Sequence, residues 1–246
     1  MKKSFKEFQK IASKLKPEGR AFIDGEFRNA TDGTTFDTKN PATGELLTKV
    51  SHCKDTDVDR AVAAARRVFN AGTWSRAEPE ERKEVLLKIA QLVREHTDEL
   101  AVLESLDTGK TINDCLDEIG GEVPNFFQWY AELADKTFGK IAPTGPGAMA
   151  LITREPAGVA GAVLPWNFPL VMAAWKIAPS LAVGCSAVIK PAEQTPLSTI
   201  RLAELMHQAG VPAGVINVVP GYGETAGQAI GLHNDIDTVS FTGSTE

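Results

Sequence analysis

The chain has 246 residues, 43% of them hydrophobic and 24% charged, an ordinary globular composition with room for one large domain or two smaller ones. Its formal net charge is −6 with both signs mixed along the chain, which argues against general attraction to nucleic acid. No apolar stretch reaches transmembrane length, and three widely spaced cysteines, Cys53, Cys115 and Cys185, do not make a disulfide framework. A reducing, cytoplasmic setting is therefore expected. The four histidines, His52, His96, His207 and His233, lack metal-ligand spacing.

The basic N-terminus has no apolar core of signal-peptide length; Phe5, Phe8, Ile11 and Leu15 recur at the spacing of a short surface helix. Asp24-Gly25, between Phe22-Ile23 and Phe27, is a hairpin signal. A helical zone follows. Val58, Ala61, Val62, Ala65 and Phe69 fall on one face, with Thr56 as the expected N-cap and Asp59 three residues on. Val85, Leu86, Ile89, Leu92 and Val93 form a second stripe. Asp98 restarts a helix with Leu100, Leu103 and Leu106 inward and Gly109 as its stop. A third helical stretch, about 113–135, carries Phe126, Phe127, Trp129 and Tyr130, a cluster read as helix packing.

Proline and glycine gather at 139–148, the place for a linker or hairpin turn. Beyond it the pattern alternates. Two strands lie within "ALITREPAGVAGAVLP", then a helix over 169–182, the strand "CSAVIK", a helix over 196–209, the strand "GVINVV", a short helix over 223–231 and the strand "TVSF". Strands and helices alternating in this way predict βαβ units and a parallel sheet, and strands apolar throughout fit a sheet covered on both faces. Cys185 opens one of these strands and is most simply a core residue.

Three strand ends carry candidate chemistry. Gly221, Gly223 and Gly227 approach the dinucleotide fingerprint G-x-G-x-x-G, but with one residue too many before the last glycine, and Asp237 comes too early for the ribose acid. A glycine-rich turn in a parallel sheet is the competing reading. Phe241-Thr242-Gly243-Ser244-Thr245 offers a glycine for close backbone approach, and hydroxyls and N–H groups for phosphate oxygens. "VLPWNFPL" puts Pro165, Trp166, Asn167 and Pro169 at the carboxyl end of a buried strand, where open α/β sheets bind ligands. An asparagine between two prolines sits on a stiff backbone, and a stiffly held amide suits stabilisation of a developing oxyanion. "IKPAEQTP" gives Lys190 and Glu193 at the next strand end, either for ribose hydroxyls or as a helix cap with a surface ion pair.

Taken together, "PWNFP", "KPAEQTPLS", "PAGVINVVPGYG" and "FTGSTE" resemble, in order and spacing, the NAD(P)-dependent aldehyde dehydrogenases. "FIDGEF", "NPATGE" and "LDTGK" are similar to the family's N-terminal part, so the resemblance covers essentially the whole chain. "SLDTGKTI", "REPAGV" and "HNDID" resemble the 4-(γ-glutamylamino)butanal and aminoaldehyde members most.

The resemblance implies an α/β fold: a helical part of the cofactor domain over 1–138, a hairpin of the oligomerisation region over 139–158, and an incomplete Rossmann-like NAD-binding part over 159–246. It implies Asn167 as the oxyanion-hole amide. Pro165 and Trp166 would lie on the nicotinamide side, and Lys190 and Glu193 at the adenosine ribose. Gly223 and Gly227 would lie near the adenine and pyrophosphate, with Phe241, Gly243 and Ser244 at the pyrophosphate turn. The 113–135 helix would line part of the substrate entrance. A carboxylate at the ribose repels a 2′-phosphate, so NAD is favoured over NADP. The implied partners are a small aldehyde and further copies of the chain as a dimer or tetramer, with no membrane and no nucleic acid.

The family's cysteine nucleophile and glutamate base follow the phosphate loop in contexts that do not occur here. The chain is therefore expected to be the N-terminal part of an aldehyde dehydrogenase, about half a subunit, truncated before the catalytic domain and inactive alone. A non-catalytic nucleotide-binding or interaction module is the alternative.

Overall fold

The computed structural model describes residues 3–244. The amphipathic N-terminal segment forms α1 (Phe5–Ala12), which buries Phe8 and leaves Phe5 exposed. The Asp24-Gly25 signal makes the antiparallel hairpin of β1 (Ala21–Ile23) and β2 (Glu26–Arg28). Its two turn residues have φ of 57° and 80°, the left-handed pair that a two-residue hairpin needs. A separate ribbon follows, β3 (Thr35–Lys39) against β4 (Leu46–Ser51).

Helices α2 (Asp55–Ala71), α3 (Pro79–Glu95) and α4 (Thr97–Thr108) occupy the expected helical zone. The start of α2 differs from expectation. Asp57, not a Thr56/Asp59 pair, closes the first turn: its carboxylate accepts the Lys54 N–H at 3.1 Å, and the Thr31 N–H and hydroxyl at 2.9 and 2.6 Å. A carboxylate with three donors from two segments outcompetes a local threonine cap. Gly109, at φ 78°, ends α4 as expected.

The third helical stretch is broken. It runs as α5 (Ile112–Asp117), a π turn over Glu118–Glu122 and α6 (Val123–Ala134). Phe127 is fully buried, whereas Trp129 is 63% exposed, so only part of the aromatic cluster is packing.

β5 (Lys140–Ala142) and β6 (Ala150–Ile152) form the expected hairpin. Then come β7 (Val159–Val163), α7 (Pro169–Ala182), β8 (Ser186–Lys190), α8 (Leu197–Gln208), β9 (Ile216–Val218), a π turn over Gly223–Gly227, α9 (Gln228–Leu232) and β10 (Thr238–Phe241). The main sheet has six strands in the order β10-β7-β8-β9-β1-β2. β10, β7, β8 and β9 are parallel, and the N-terminal hairpin joins antiparallel through Phe22 opposite Val218. The segment expected to supply mainly helices therefore also extends this sheet.

Side chains alternate between two cores, as strand geometry demands. Ala160, Ala162, Ala187, Ile189, Ile216 and Val218 face the layer of α3, α6, α7 and α8. Val159, Val188 and Val219 face the opposite layer, which holds Val58, Ala61, Val62 and Ala65 of α2 and Ile230 of α9. β10 departs from the doubly covered expectation: all four of its residues are exposed, Phe241 by 61%. Among the described residues no helix is long and apolar enough to cross a membrane.

Candidate active-site cleft

The order β9-β8-β7-β10 fixes where a ligand can sit. From β7 the chain steps through α7 to β8 and through α8 to β9, then returns across the sheet to β10 on the other side of β7. The strand order reverses between β7 and β10, and a crevice opens beyond the carboxyl ends at such a switch point. A cleft of about 700 Å³ lies there, lined by residues from four loops: 163–167, 190–194, Gly223 and 241–244.

The cleft gathers Pro165, Trp166, Asn167, Lys190, Glu193, Gly223, Phe241, Gly243 and Ser244. Gly227 is not among its lining residues; at φ −65° and ψ −48° it closes the π turn and leads into α9. Thr245 of the terminal loop lies outside the described residues. Thr242 of the same candidate loop lines the cleft too, as do Val163, Leu164, Ala192 and Gln194, which were not singled out in the sequence. Their signal was position alone: each directly neighbours or lies within two residues of a candidate at a strand end.

Asn167 is exposed, and its side chain makes no hydrogen bond to another described residue, so its amide is available. Its backbone is held on both sides. Pro169 begins α7, and the Trp166 carbonyl accepts the Thr195 hydroxyl at 3.2 Å, which ties this loop to the next. Lys110 adds a third restraint: its ammonium sits 3.8 Å from the centroid of the Phe168 ring while pairing with Glu118 at 2.6 Å.

Lys190 and Glu193 form an ion pair of 2.7 Å, the lysine side chain only 4% exposed and the glutamate 27%. Burial alone would push the Glu193 carboxyl up, but Lys190, a main-chain N–H and Gln194 together hold it below the usual carboxylate range. It therefore stands ionised at the cleft wall, with lone pairs left for further donors. At the opposite wall the Phe241 ring folds over Gly243, where a Cβ would lie 2.6 Å from its Cζ. A side chain at 243 would displace the ring and close the approach to the backbone.

The turn chemistry explains why the glycine fingerprint is imperfect. In the dinucleotide pattern the glycines follow the first strand of the 3-2-1-4 order, here β7. The loop after β7 is instead 164–168, which contains no glycine, and the glycine-rich turn follows β9.

Among the described residues no cysteine lines the cleft. Cys53, Cys115 and Cys185 are all buried and free; burial pushes the Cys115 thiol up to about 12 and Cys53 far above its ordinary range. Neither Cys53 nor Cys115 is poised as a thiolate. No cluster of three or more potential metal ligands occurs among the described residues.

The aldehyde dehydrogenase family model matches residues 27–246. The chain belongs to the aldehyde dehydrogenase family. The aminoacetaldehyde dehydrogenase of Pseudomonas aeruginosa is 55% identical over 242 residues, which are 98% of this chain and 49% of that protein. The structure of a gamma-glutamyl-gamma-aminobutyraldehyde dehydrogenase from Burkholderia cenocepacia superimposes with a TM-score of 0.95 at 51% identity, over 98% of this chain and 48% of that one. The structure of a P. syringae indole-3-acetaldehyde dehydrogenase mutant in complex with NAD+ and IAA gives a TM-score of 0.97 at 48% identity, over 99% of this chain and 49% of that one. The family's α/β fold with its parallel sheet is thus this chain's fold. The chain spans about half the length of the relatives it matches.

Proposed function

We propose that the whole protein oxidises an aldehyde to its carboxylic acid with NAD, and that these residues carry its dinucleotide cleft and oxyanion amide. The observation that carries the reading is the convergence of three strand-end loops and Gly223 on one cleft at the switch point of a 3-2-1-4 parallel sheet.

The residues present fit a dinucleotide. An ionised Glu193, oriented by Lys190, suits ribose hydroxyls as a hydrogen-bond acceptor. Gly243 and Ser244 offer backbone access at the end of β10, for a pyrophosphate, and Gly223 closes the adenine end. Pro165 and Trp166 wall the nicotinamide side. A nicotinamide held there would supply the acceptor for the hydride that leaves the substrate carbon. Asn167 donates its free amide N–H to the oxygen that becomes anionic when a thiolate adds to the aldehyde. Hydride departure and water then yield the acid, one NADH and a proton. The thiolate is none of Cys53, Cys115 or Cys185, which are buried away from the cleft, so it belongs with the remaining length of the family's subunits.

The negative charge of Glu193 supports NAD rather than NADP. The relatives' names and the Phe126–Trp175 stack at 5.3 Å beside exposed Trp129 support an aminoaldehyde or similar medium-length aldehyde. Three unpaired cysteines support a cytoplasmic setting. The β5–β6 hairpin, with Ile141 72% and Leu151 63% exposed, supports a homo-oligomer assembled through residues 139–158.

The test is titration of this chain with NADH, followed by fluorescence. Saturable binding that Gly243→Val abolishes is expected. A folded chain that does not bind NADH overturns the reading. In the complete subunit, Asn167→Ala lowers kcat by about 10²–10³-fold.

A further inference from the structure

α4 carries two carboxylates that the proposed chemistry does not use. Glu104 and Asp107 are one turn apart on the same helix face, and both are buried. Each reaches out of α4 to the first turn of another helix. The Glu104 Oε2 accepts the Ser198 hydroxyl at 2.8 Å and the Leu170 main-chain N–H at 3.3 Å. The Asp107 Oδ2 accepts the Leu197 main-chain N–H at 3.0 Å, and its Oδ1 accepts the Thr38 hydroxyl at 2.9 Å.

Leu170 is the second residue of α7 and Leu197 the first of α8. The first N–H groups of a helix lack partners within it, and neither α7 nor α8 has a side-chain cap of its own. The two carboxylates supply that cap from outside, where the partial positive charge of the helix end favours an acceptor. The loop entering α7 carries Trp166 and Asn167, and the loop entering α8 carries Glu193 and Gln194. Lys110, two residues past the end of α4, holds Phe168.

We propose that Glu104 and Asp107 are positioning residues for the cleft: by anchoring the first turns of α7 and α8 they set where Asn167, Trp166 and Glu193 stand. The inference rests on the reading of the cleft as a dinucleotide site. A side chain that only stabilised the core would act on the fold as a whole. These two act at the roots of two cleft loops.

The test uses the 246-residue chain with NADH as probe. Asp107→Ala and Glu104→Ala each weaken NADH binding about tenfold, the size of effect expected when a loop loses one anchoring hydrogen bond. Asp107→Asn binds within about threefold of wild type, because the amide oxygen still accepts the Leu197 N–H and its NH2 can donate to the Thr38 hydroxyl. Leu86→Ala, a fully buried α3 position, serves as the control for lost stability without lost anchoring. Two results overturn the inference: alanine variants that bind no worse than a Leu86→Ala chain of equal loss in Tm, or an asparagine that fails to rescue. Should an alanine variant not fold, Thr38→Val, which removes one orienting bond from Asp107, takes its place with the same expectation.

If wild type itself binds no NADH, the dinucleotide reading fails, and amide hydrogen exchange still decides the positioning. Exchange over 165–170 must quicken in Glu104→Ala and over 193–197 in Asp107→Ala, with neither segment affected in Leu86→Ala. Uniform exchange across these variants sinks the proposal.

Discussion

Gly161 of β7 lies directly under Ile230 of α9: a Cβ at position 161 would come 2.6 Å from Ile230 Cγ2. Close helix–strand approach in this sheet is set by a glycine in the strand. Gly227, the last glycine of the near-fingerprint, has helical φ and ψ, and a Cβ there would meet only the Tyr222 carbonyl oxygen at 3.9 Å. Gly161→Ala is therefore expected to cost about 1–3 kcal/mol through overpacking. Gly227→Ala is expected to gain about 0.4–1 kcal/mol by restricting the unfolded chain, with NADH affinity unchanged. Urea denaturation of the two variants checks both signs.

Stability is expected to fall between mildly acidic and neutral pH. Burial raises Glu104 to about 7, against the opposing hydrogen bond from Ser198, and raises Asp107 to about 7, against the Leu197 N–H. For an acid whose pKa is higher folded than unfolded, the contribution is complete below the unfolded value, near 4, and is lost as pH rises through 7. Each group would weaken the fold on the order of 3–4 kcal/mol across that window. Glu104→Gln and Asp107→Asn should each flatten the decline in Tm from pH 4.5 to 7.5. A wild-type Tm that rises steadily over that range refutes the expectation.

Periodicity made the sheet half of the chain legible. Helix α7 occupies the expected 169–182, and each strand from β7 to β10 lies within its expected run. Local chemistry made the β1–β2 turn legible as well, because an Asp-Gly pair tolerates the left-handed backbone it adopts. Non-local compensation was not legible. In α4 the stripe Leu100, Leu103, Leu106 was expected inward, yet Leu106 is half-buried while Glu104 and Asp107 are buried. Their burial depends on N–H groups of α7 and α8, about 65–90 residues away along the chain, which no local pattern announces. The same holds for Asp57, whose partner Thr31 belongs to the preceding loop. At the cleft, the strand-end positions of Asn167, Lys190 and Gly243 followed from the alternation, whereas the displacement of Gly227 from the lining came from a π turn.

Asp237 clasps the exposed edge strand to its neighbour. Its carboxylate accepts the Val159 N–H at 2.7 Å and pairs with Arg66, while its own N–H donates to the Val159 carbonyl at 2.9 Å. Gly158 makes this approach possible: at φ 128° it holds a conformation that favours glycine, and a Cβ there would collide with the Asp237 carboxylate. Burial opposes ionisation of Asp237, but the Val159 N–H and Arg66 outweigh it and keep the pKa low. Asp237→Ala leaves a main-chain N–H without its acceptor, at a cost of about 1–3 kcal/mol. Hydrogen exchange over 238–241 should quicken far more than over β8. Equal quickening in both strands would mean that the clasp is global.

Glu193 is expected to set the proposed preference for NAD over NADP through its charge. Its carboxylate stays ionised beside Lys190, whose ammonium is buried and committed to it at 2.7 Å. A 2′-phosphate brought to this wall meets a negative charge whose counter-ion is already engaged. Glu193→Gln keeps the size and an acceptor oxygen, removes the charge and releases the lysine. NADPH affinity relative to NADH should rise about tenfold, equivalent to about 1.4 kcal/mol, mainly through tighter NADPH binding. The gain should shrink as salt is raised, because screening weakens both the original repulsion and the new attraction to Lys190. Paired titrations of NADH and NADPH at two salt concentrations check this. An unchanged ratio at low salt would mean that the discriminating charge lies elsewhere in the cleft.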